Sequence, residues 1–286
     1  MNIHLNGSVI PASEARISPF DRAYLLGDAL YEGIRAYRGH LRAMHRHVER
    51  LQHSLDIAQV DWDASCLESL THDLLRANGL RDAFVYWQIS RGVPGPGDPV
   101  RTRVPVRPMT PTVFGYAIPA EPIESYVAPA AIAASTVEDI RWLRGRLKSI
   151  SLMGNVLGAM EALDAGGADA IFCRDGLLAE ATASNVIIVR KGEVLTPDLD
   201  SVSILAGVTR SIILDAMPEI IVRPVTVDEL READEVILCG TTSVVTSVVA
   251  LDDERVGTGR PGLVAERMLR AYVGAVTSDI EAKGAA

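Results

Sequence analysis

Residues 29 to 37 are the stretch that most narrows what this chain can fold into. They place Tyr31, Gly33, Arg35 and Tyr37 on one face of a strand and Glu32, Ile34 and Ala36 on the other, before Gly39 turns the chain into Leu41 to Met44. A sheet therefore starts early. The first residues agree, because Asn6-Gly7 between Ile3 to Leu5 and Ser8 to Ile10 has the chemistry of a type I′ hairpin turn. Val48, Leu51, Leu55 and Ala58 then recur at helical spacing over 46 to 58. Leu67, Leu70, Leu74 and Leu75 repeat that pattern until Asn78-Gly79 stops it. The spacing predicts two helices covering the first sheet. A β-prone run from Phe84 to Ser90 breaks into Gly92-Val93-Pro94-Gly95-Pro96-Gly97-Asp98-Pro99, which neither a helix nor a central strand can hold. This is a long loop. It carries Arg101, Arg103 and Arg107 ahead of a strand from Thr112 to Ile118.

Pro119-Ala120-Glu121-Pro122-Ile123-Glu124-Ser125-Tyr126 interrupts all regular patterning and reads as a connection between domains. The expected division is a first domain over 1–121, a linker over 122–129 and a second domain over 130–286. In the second half, helix-like segments at 149–165, 208–217 and 261–277 alternate with short strands near 169–174, 185–190, 220–225 and 235–239. Asp175-Gly176 and Lys191-Gly192 mark tight turns between strands, and Ala128 to Ala134 is alanine-rich. Both halves are mixed α and β. With 286 residues and 48% apolar content, the chain can build two real cores. Its net charge of -9 disfavours nucleic acid as a main partner. The start lacks a basic segment followed by an apolar one, and no apolar run approaches the ~18 residues of a membrane span. Cys66, Cys173 and Cys239 are widely spaced, which suggests neither a disulfide framework nor structural zinc. A cytoplasmic location is the expectation.

Chemistry concentrates around Lys148. Val137-Glu138-Asp139-Ile140-Arg141-Trp142-Leu143-Arg144 leads to it, and Glu180 follows 32 residues later within Leu178-Ala179-Glu180-Ala181-Thr182-Ala183-Ser184-Asn185. A lysine with its ordinary pKa near ~10.4 is a poor nucleophile at neutral pH unless burial or neighbouring cations favour its neutral form. Arg141, Arg144 and Arg146 are the cations at hand. An amine of this kind forms a Schiff base with an aldehyde cofactor, and a pyridine-type cofactor needs a carboxylate opposite its ring nitrogen. Lys148 and Glu180 suit those two roles. A phosphate would need an arginine and backbone N–H groups at a helix start. Arg50, the turn Leu205-Ala206-Gly207-Val208-Thr209-Arg210 and Gly240-Thr241-Thr242-Ser243 offer such a set, although each alone reads as a helix cap or a solvated side chain. His45 and His47 have no companions at metal-ligand spacing, so a structural or helix-start role outweighs a metal one. Trp142 reads as a core or interface residue, Tyr31 divides evenly between strand packing and function, and Ser184 lacks a Gly-x-Ser-x-Gly setting.

A surface position is the commonest fate of a lysine. Resemblance outweighs it here. The strand Tyr31 to Tyr37, the helix around His47 to Arg50, the stretch Val137 to Ser149, and the segments Glu180 to Asn185, Gly207 to Arg210 and Gly240 to Ser243 stand in the order seen in class IV pyridoxal-phosphate aminotransferases. Essentially the whole chain is similar to that family. Val137 to Arg144 with Lys148-Ser149 resembles the bacterial D-amino-acid aminotransferases, whereas Tyr31-Glu32-Gly33-Ile34-Arg35-Ala36-Tyr37 is similar to branched-chain aminotransferases. The resemblance implies a small N-terminal α/β domain followed by a larger C-terminal pseudo-barrel domain, with pyridoxal 5′-phosphate between them and a homodimer partner closing the site. It implies that Lys148 forms the Schiff base and moves the proton between the substrate α-carbon and the cofactor. Glu180 would hold the pyridine nitrogen protonated. Arg50, Val208, Thr209, Gly240 and Thr241 would grip the phosphate, Leu205 would back the ring, and Tyr31 and Thr242 would lie near substrate.

One departure bears on the substrate. D-amino-acid aminotransferases carry an Arg-x-His pair in the loop after the strand equivalent to Tyr86 through Gly92, where this chain reads Gly95-Pro96-Gly97-Asp98. An acidic residue there would repel a carboxylate, so another cation must hold it. Arg35 is the first candidate, with Arg101 or Arg103 assisting. The expected activity is transfer of the amino group of D-amino acids to a 2-oxo acid such as 2-oxoglutarate or pyruvate, with possible turnover of (R)-primary amines. The alternatives are an L-branched-chain transaminase, a lyase of the aminodeoxychorismate type, and a non-catalytic cofactor-binding protein, the last opposed by the presence together of Lys148, Glu180 and Arg50.

Overall fold

In a computed structural model of the chain, residues 1–106 and 108–284 are described; Arg107 lies outside them. The first residues fold as the Asn6-Gly7 turn dictates. Both turn residues take positive φ, 48° and 87°, and join β1 (Asn2–Leu5) to β2 (Ser8–Pro11). There follow α1 (Arg22–Leu26), β3 (Ala29–Tyr37), β4 (His40–Leu41), α2 (Met44–Ala58), α3 (Leu67–Asn78), β5 (Ala83–Ser90) and β6 (Thr112–Pro119). These strands form one sheet in the order β2-β1-β6-β5-β3-β4. Leu30, Ile34 and Ala36 of β3 face a core closed by α2 and α3, as the alternation predicts. Trp87 fills that core with no exposure, its Nε1–H donating to Thr71 Oγ1 at 2.9 Å. Gly115 opposite it must be glycine, because a Cβ there would stand 2.6 Å from the indole. The other sheet face carries an aromatic row, with Tyr31 stacked on Tyr86 (5.6 Å) and Tyr86 on Tyr116 (5.2 Å).

One further piece of chain belongs to this unit. By contacts, Met1–Pro122 groups with Leu147–Ser151, and the remainder forms a second unit. The division expected from sequence had kept all of 130–286 in the second domain. The reason for the difference is backbone pairing: Tyr31 N–H donates to the Lys148 carbonyl (2.9 Å), Leu30 bridges Ser149, and Ile150 N–H donates to the Ala29 carbonyl (3.1 Å). The helix expected over 149–165 therefore begins only at Met153. Its predicted first turn is extended because its backbone groups are taken by β3.

The second unit contains β7 (Ala130–Glu138), α4 (Met153–Asp164), β8 (Asp169–Arg174), β9 (Leu177–Ala181), β10 (Asn185–Arg190), β11 (Glu193–Thr196), α5 (Val208–Ala216), β12 (Ile221–Val222), α6 (Val227–Arg231), β13 (Glu235–Gly240), β14 (Val244–Leu251), β15 (Glu254–Arg255) and α7 (Leu263–Gly284). Its sheet runs β12-β11-β10-β13-β14-β7-β8-β9, with β15 beside β14. β9 ends this path while β10 lies deep within it, yet only residues 182–184 join them, with Ala181 N–H donating to the Ser184 carbonyl at 2.8 Å. So short a link between an edge strand and an inner strand requires the sheet to curl into a half-barrel. The segment expected to be a linker, 122–129, contains a 3-10 turn over Ile123–Ser125 that buries Ile123 against α7. The strand expected over 220–225 is only Ile221–Val222, and α7 runs beyond the predicted 277. Among the described residues, no helix is long and apolar enough to cross a membrane.

Thr71→Val leaves the Trp87 N–H buried without its acceptor. It is expected to lower unfolding free energy by about 1–3 kcal/mol in urea titrations with an unchanged m-value, whereas an unchanged midpoint would show the bond contributes nothing.

Candidate active site

Lys148 owes its place to β3. With its carbonyl accepting from Tyr31, its side chain returns over the same residue, and Nζ lies 4.2 Å from the centroid of the Tyr31 ring. A cation held over an aromatic face is attracted by the ring quadrupole. Tyr31, whose two readings were evenly weighted from sequence, is thus directly beneath the lysine.

One residue further along β3, Glu32 turns to the helix-covered face and has no solvent exposure. A buried carboxylate requires partners. Arg50 supplies two hydrogen bonds, Nε to Oε1 at 2.8 Å and Nη2 to Oε2 at 2.7 Å, and His47 Nδ1 lies 2.7 Å from Oε2. Burial alone would raise the pKa of Glu32, but the charge of Arg50 and the hydrogen bonds from His47 and Arg50 overcome it and hold the carboxyl at about 2. An ionised carboxylate only accepts, so His47 Nδ1 carries the proton. Burial pushes the His47 pKa down against the pull of Glu32, and the charges of Arg50 and Lys148 push it further in the same direction. His47 is accordingly neutral, in the structural role expected of it. Glu32 was missed as a functional residue, although an acid on the apolar face Leu30-Glu32-Ile34-Ala36 was a legible sign of a buried ion pair.

In the second unit Glu180 lies on β9, nearly buried. Arg141 Nη1 donates to Oε1 at 2.9 Å, and the Leu205 N–H donates to Oε2 at 3.0 Å, with Asn185 Nδ2 at 3.5 Å from the same oxygen. Arg141 is fixed in turn by Asp139, through Nε at 2.8 Å and Nη2 at 3.0 Å, and lies 4.2 Å above the Phe172 ring. Arg141 is therefore the partner of Glu180, and Arg146 is paired with Asp200. From sequence both were cations at hand for Lys148; in the structure each pairs with a carboxylate of its own unit. Arg144 is exposed.

Asn185 joins this carboxylate to the expected phosphate grip. Its Nδ2 donates to the Leu205 carbonyl at 2.9 Å, and its Oδ1 lies where a Cβ on Gly207 would approach to 2.0 Å. Only glycine fits. Gly207 caps α5 without a side-chain hydrogen bond, so the N–H groups of Val208 and Thr209 form an uncapped first turn suited to an anion. Asn185 also pairs in the ladder with Cys239, which places Gly240 at the end of β13 and Thr241 at the start of the turn beyond it. A Cβ on Gly240 would meet Ser184 Oγ at 2.7 Å, and the turn closes on Val244 at φ 55°. Leu205, Val208, Thr209, Gly240, Thr241 and Glu180 are thus contiguous in the second unit. Thr242 is exposed at the tip of that turn. The residues fit a group bearing an anion and a ring nitrogen, because glycines leave room and N–H donors stand beside a fixed carboxylate.

The predicted substrate residues are scattered. Arg35 shares the face of Tyr31, as the alternation requires, but stands four residues, or about 13 Å, further along the strand. It is buried, donates through Nη2 to the Glu121 carbonyl, and stacks 4.8 Å above Tyr37. Its guanidinium thus meets a main-chain carbonyl and the Tyr37 ring. Arg101 and Arg103 are exposed in the loop after β5. Asp98, expected to repel a carboxylate, accepts instead from Gly95 N–H at 3.1 Å within its own turn.

The family profile described as amino-transferase class IV matches residues 29–251. The D-alanine aminotransferase of Staphylococcus haemolyticus is 34% identical over 281 residues, 94% of this chain and 96% of that protein. Among solved structures, the branched-chain amino acid aminotransferase of Escherichia coli superposes with a TM-score of 0.85 at 25% identity, over 96% of this chain and 93% of that one. The PLP form of the branched-chain enzyme of Thermobaculum terrenum gives 0.83 at 27% identity, over 96% and 94%. The order of motifs, the half-barrel with its fixed carboxylate and the full-length likeness agree, and the chain belongs to the class IV aminotransferases.

Proposed function

We propose that this protein is a pyridoxal 5′-phosphate-dependent transaminase that moves the amino group of D-amino acids to a 2-oxo acid, with 2-oxoglutarate or pyruvate as acceptor. The observation that carries the reading is Glu180, held by Arg141 and by the N–H of Leu205 in the turn that leads to the uncapped start of α5. When bound, the cofactor supplies an aldehyde for amines and a protonated pyridine ring that accepts electrons from the substrate Cα–H bond. Glu180 would accept from the ring N–H, and Arg141 orients that carboxylate. Val208, Thr209, Gly240 and Thr241 offer main-chain donors to the phosphate. Arg50 is the side chain for the same anion, its guanidinium plane set by the two hydrogen bonds it donates to Glu32. Lys148 would be the residue that holds the aldehyde, and its freed Nζ would be the base that moves the proton at the substrate Cα. Tyr31 fixes where Nζ sits. Arg101 and Arg103 are the remaining candidates for the substrate carboxylate, and altered carboxylate binding leaves room for (R)-primary amines.

The D-amino-acid reading is supported by the likeness to D-alanine aminotransferases. The structural likeness to branched-chain aminotransferases favours the second reading, an L-branched-chain transaminase. We also read the active form as a homodimer. α4 packs Gly158 and Ala162 inward and leaves Met153, Val156, Leu157, Met160 and Leu163 exposed, an apolar helical stripe suited to a second copy. Three free cysteines accord with the cytoplasm.

The cofactor-loaded protein is expected to be yellow and to lose its visible band on adding D-alanine but not L-leucine; bleaching by L-leucine alone would establish the second reading. Lys148→Ala should retain the fold by circular dichroism and lower turnover by at least about a thousandfold, and a residual rate near wild type would remove Lys148 from the chemistry. Glu32→Gln tests the setting of Arg50. It should weaken binding of pyridoxal 5′-phosphate by roughly tenfold or more while changing that of pyridoxal little, and equal losses would refute it. Because folding depresses the Glu32 pKa from 4.5 to about 2, its stabilisation is present above pH 4.5 and is lost as pH falls toward 2. In Glu32→Gln the acid limb of the stability curve should be flatter over that window.

A further inference from the structure

The loop after β5, residues 91–111, is long and rich in glycine and proline, yet it is tied down at its ends, its first residue and its middle. At its two feet, Ser90 Oγ and Thr112 Oγ1 both donate to Asp21 Oδ2, at 2.9 and 2.6 Å, so one buried carboxylate joins the end of β5 to the start of β6. The next residue, Arg22, is 3% exposed despite its charge. Its backbone N–H donates to the Gly92 carbonyl at 3.0 Å. Its guanidinium bonds Asp28 through Nε at 2.7 Å and then reaches into the loop, Nη1 to the Thr102 carbonyl at 2.7 Å and Nη2 to the Arg103 carbonyl at 3.3 Å. Asp28 also receives Nε and Nη2 of Arg91, at 2.8 and 2.9 Å, and Arg91 donates onward to the Ala58 and Gln59 carbonyls at the end of α2. Burial would raise the Asp28 pKa, but the hydrogen bonds and charges of Arg91 and Arg22 hold it below the usual carboxylate range. Gly92 completes the base at φ 99°, where a Cβ would stand 1.9 Å from the Thr110 carbonyl.

Two facts give this anchor a functional direction. Arg22 grips the backbone of Arg103 itself, a candidate for the substrate carboxylate. Asp28 is the residue just before β3, where Gly27 and Ala29 accept from Ser151 Oγ and Ile150 N–H of the segment that carries Lys148. We infer that Asp21, Arg22 and Asp28 are positioning residues that fix the loop arginines to the start of β3, the strand with which the Lys148 segment pairs, and so set the affinity for carboxylate-bearing substrates. The inference rests on the transaminase reading above. A cation tethered this way loses little entropy on binding, whereas the same cation on a loose loop must be ordered by the substrate.

The test uses the holoenzyme of wild type, Asp28→Asn and Arg22→Lys, the second keeping the charge opposite Asp28 if the first does not fold. Tryptic cleavage after Arg101 or Arg103 should accelerate by about tenfold or more. KM for the amino acid should rise by about tenfold, with kcat within about threefold and the visible cofactor band unchanged. Asp28→Glu should restore both toward wild type. Unchanged cleavage and KM would overturn the anchor, and faster cleavage with unchanged KM would overturn its bearing on substrate. The kinetics use whichever enantiomer wild type turns over. Wild-type activity confined to L-amino acids thus refutes D-selectivity while leaving the anchor to be judged.

Discussion

The hydrogen bonds between the start of β3 and residues 148–151 are the constraint on which the rest depends. They return a short piece of chain to the first sheet after it has entered the second unit, and they fix Lys148 by its backbone. A lysine side chain has four rotatable bonds and is a poor tool for placing an amine accurately. Pinning its carbonyl to Tyr31 N–H and laying Nζ over the Tyr31 ring removes much of that freedom. The same edge explains Gly27, where a Cβ would lie 2.6 Å from Ser151 Oγ. It also explains why the helix expected from 149 starts later: amphipathic pattern yields when backbone groups find partners in a sheet.

Two carboxylates, Glu32 and Glu180, are built on a shared principle in different units. Each is nearly sealed from water, each is matched by one arginine, and each arginine approaches through a fixed geometry. Removing either cation would leave a buried charge uncompensated, which is far more damaging than losing the pair together. The arrangements differ in what else they allow. Glu32 is enclosed by Arg50 and His47 and serves to orient Arg50. Glu180 has Arg141 on one oxygen and the Leu205 N–H on the other, an anion poised beside the first turn of α5. Of the arginines near Lys148 in sequence, Arg141 and Arg146 are partners of acids.

Much of the fold was legible from period and punctuation. The Asn-Gly hairpin, β3, α2, α3 and β5 fall within a few residues of their expected places, because apolar spacing and turn chemistry agree there. β9, which carries Glu180, was not legible as a strand. Its sequence Leu-Leu-Ala-Glu-Ala favours helix, and only its ladder with β8 overrides that preference. β7 was hidden for the same reason, since its alanine-rich run becomes a strand between β14 and β8. At the site, Lys148, Glu180 and the glycine turns could be picked out by residue type. The roles of Arg35 and Arg141 could not, because alternation assigns a face but says nothing of which carbonyl or carboxylate meets a guanidinium several residues away.

The turn from Gly240 to Val244 shows how far the main chain is bent to make this cradle. Val244 is a β-branched residue with φ 55°, in the left-handed region that such side chains avoid, and it is completely buried. A strain of order 1–3 kcal/mol persists only where the surroundings over-determine it. Here they do: the ladder with Gly240 fixes one side, Val245 and Val248 bury the strand beyond, and Ser184 closes on Gly240 from the link before β10. Burial of the valine offsets the strain, and the three residues between, Thr241 to Ser243, are left in a tight turn beside Ser184. Glycine at 244 would relax the backbone and give up that packing, so the sequence keeps the strained valine and with it a turn that holds its shape before any anion arrives.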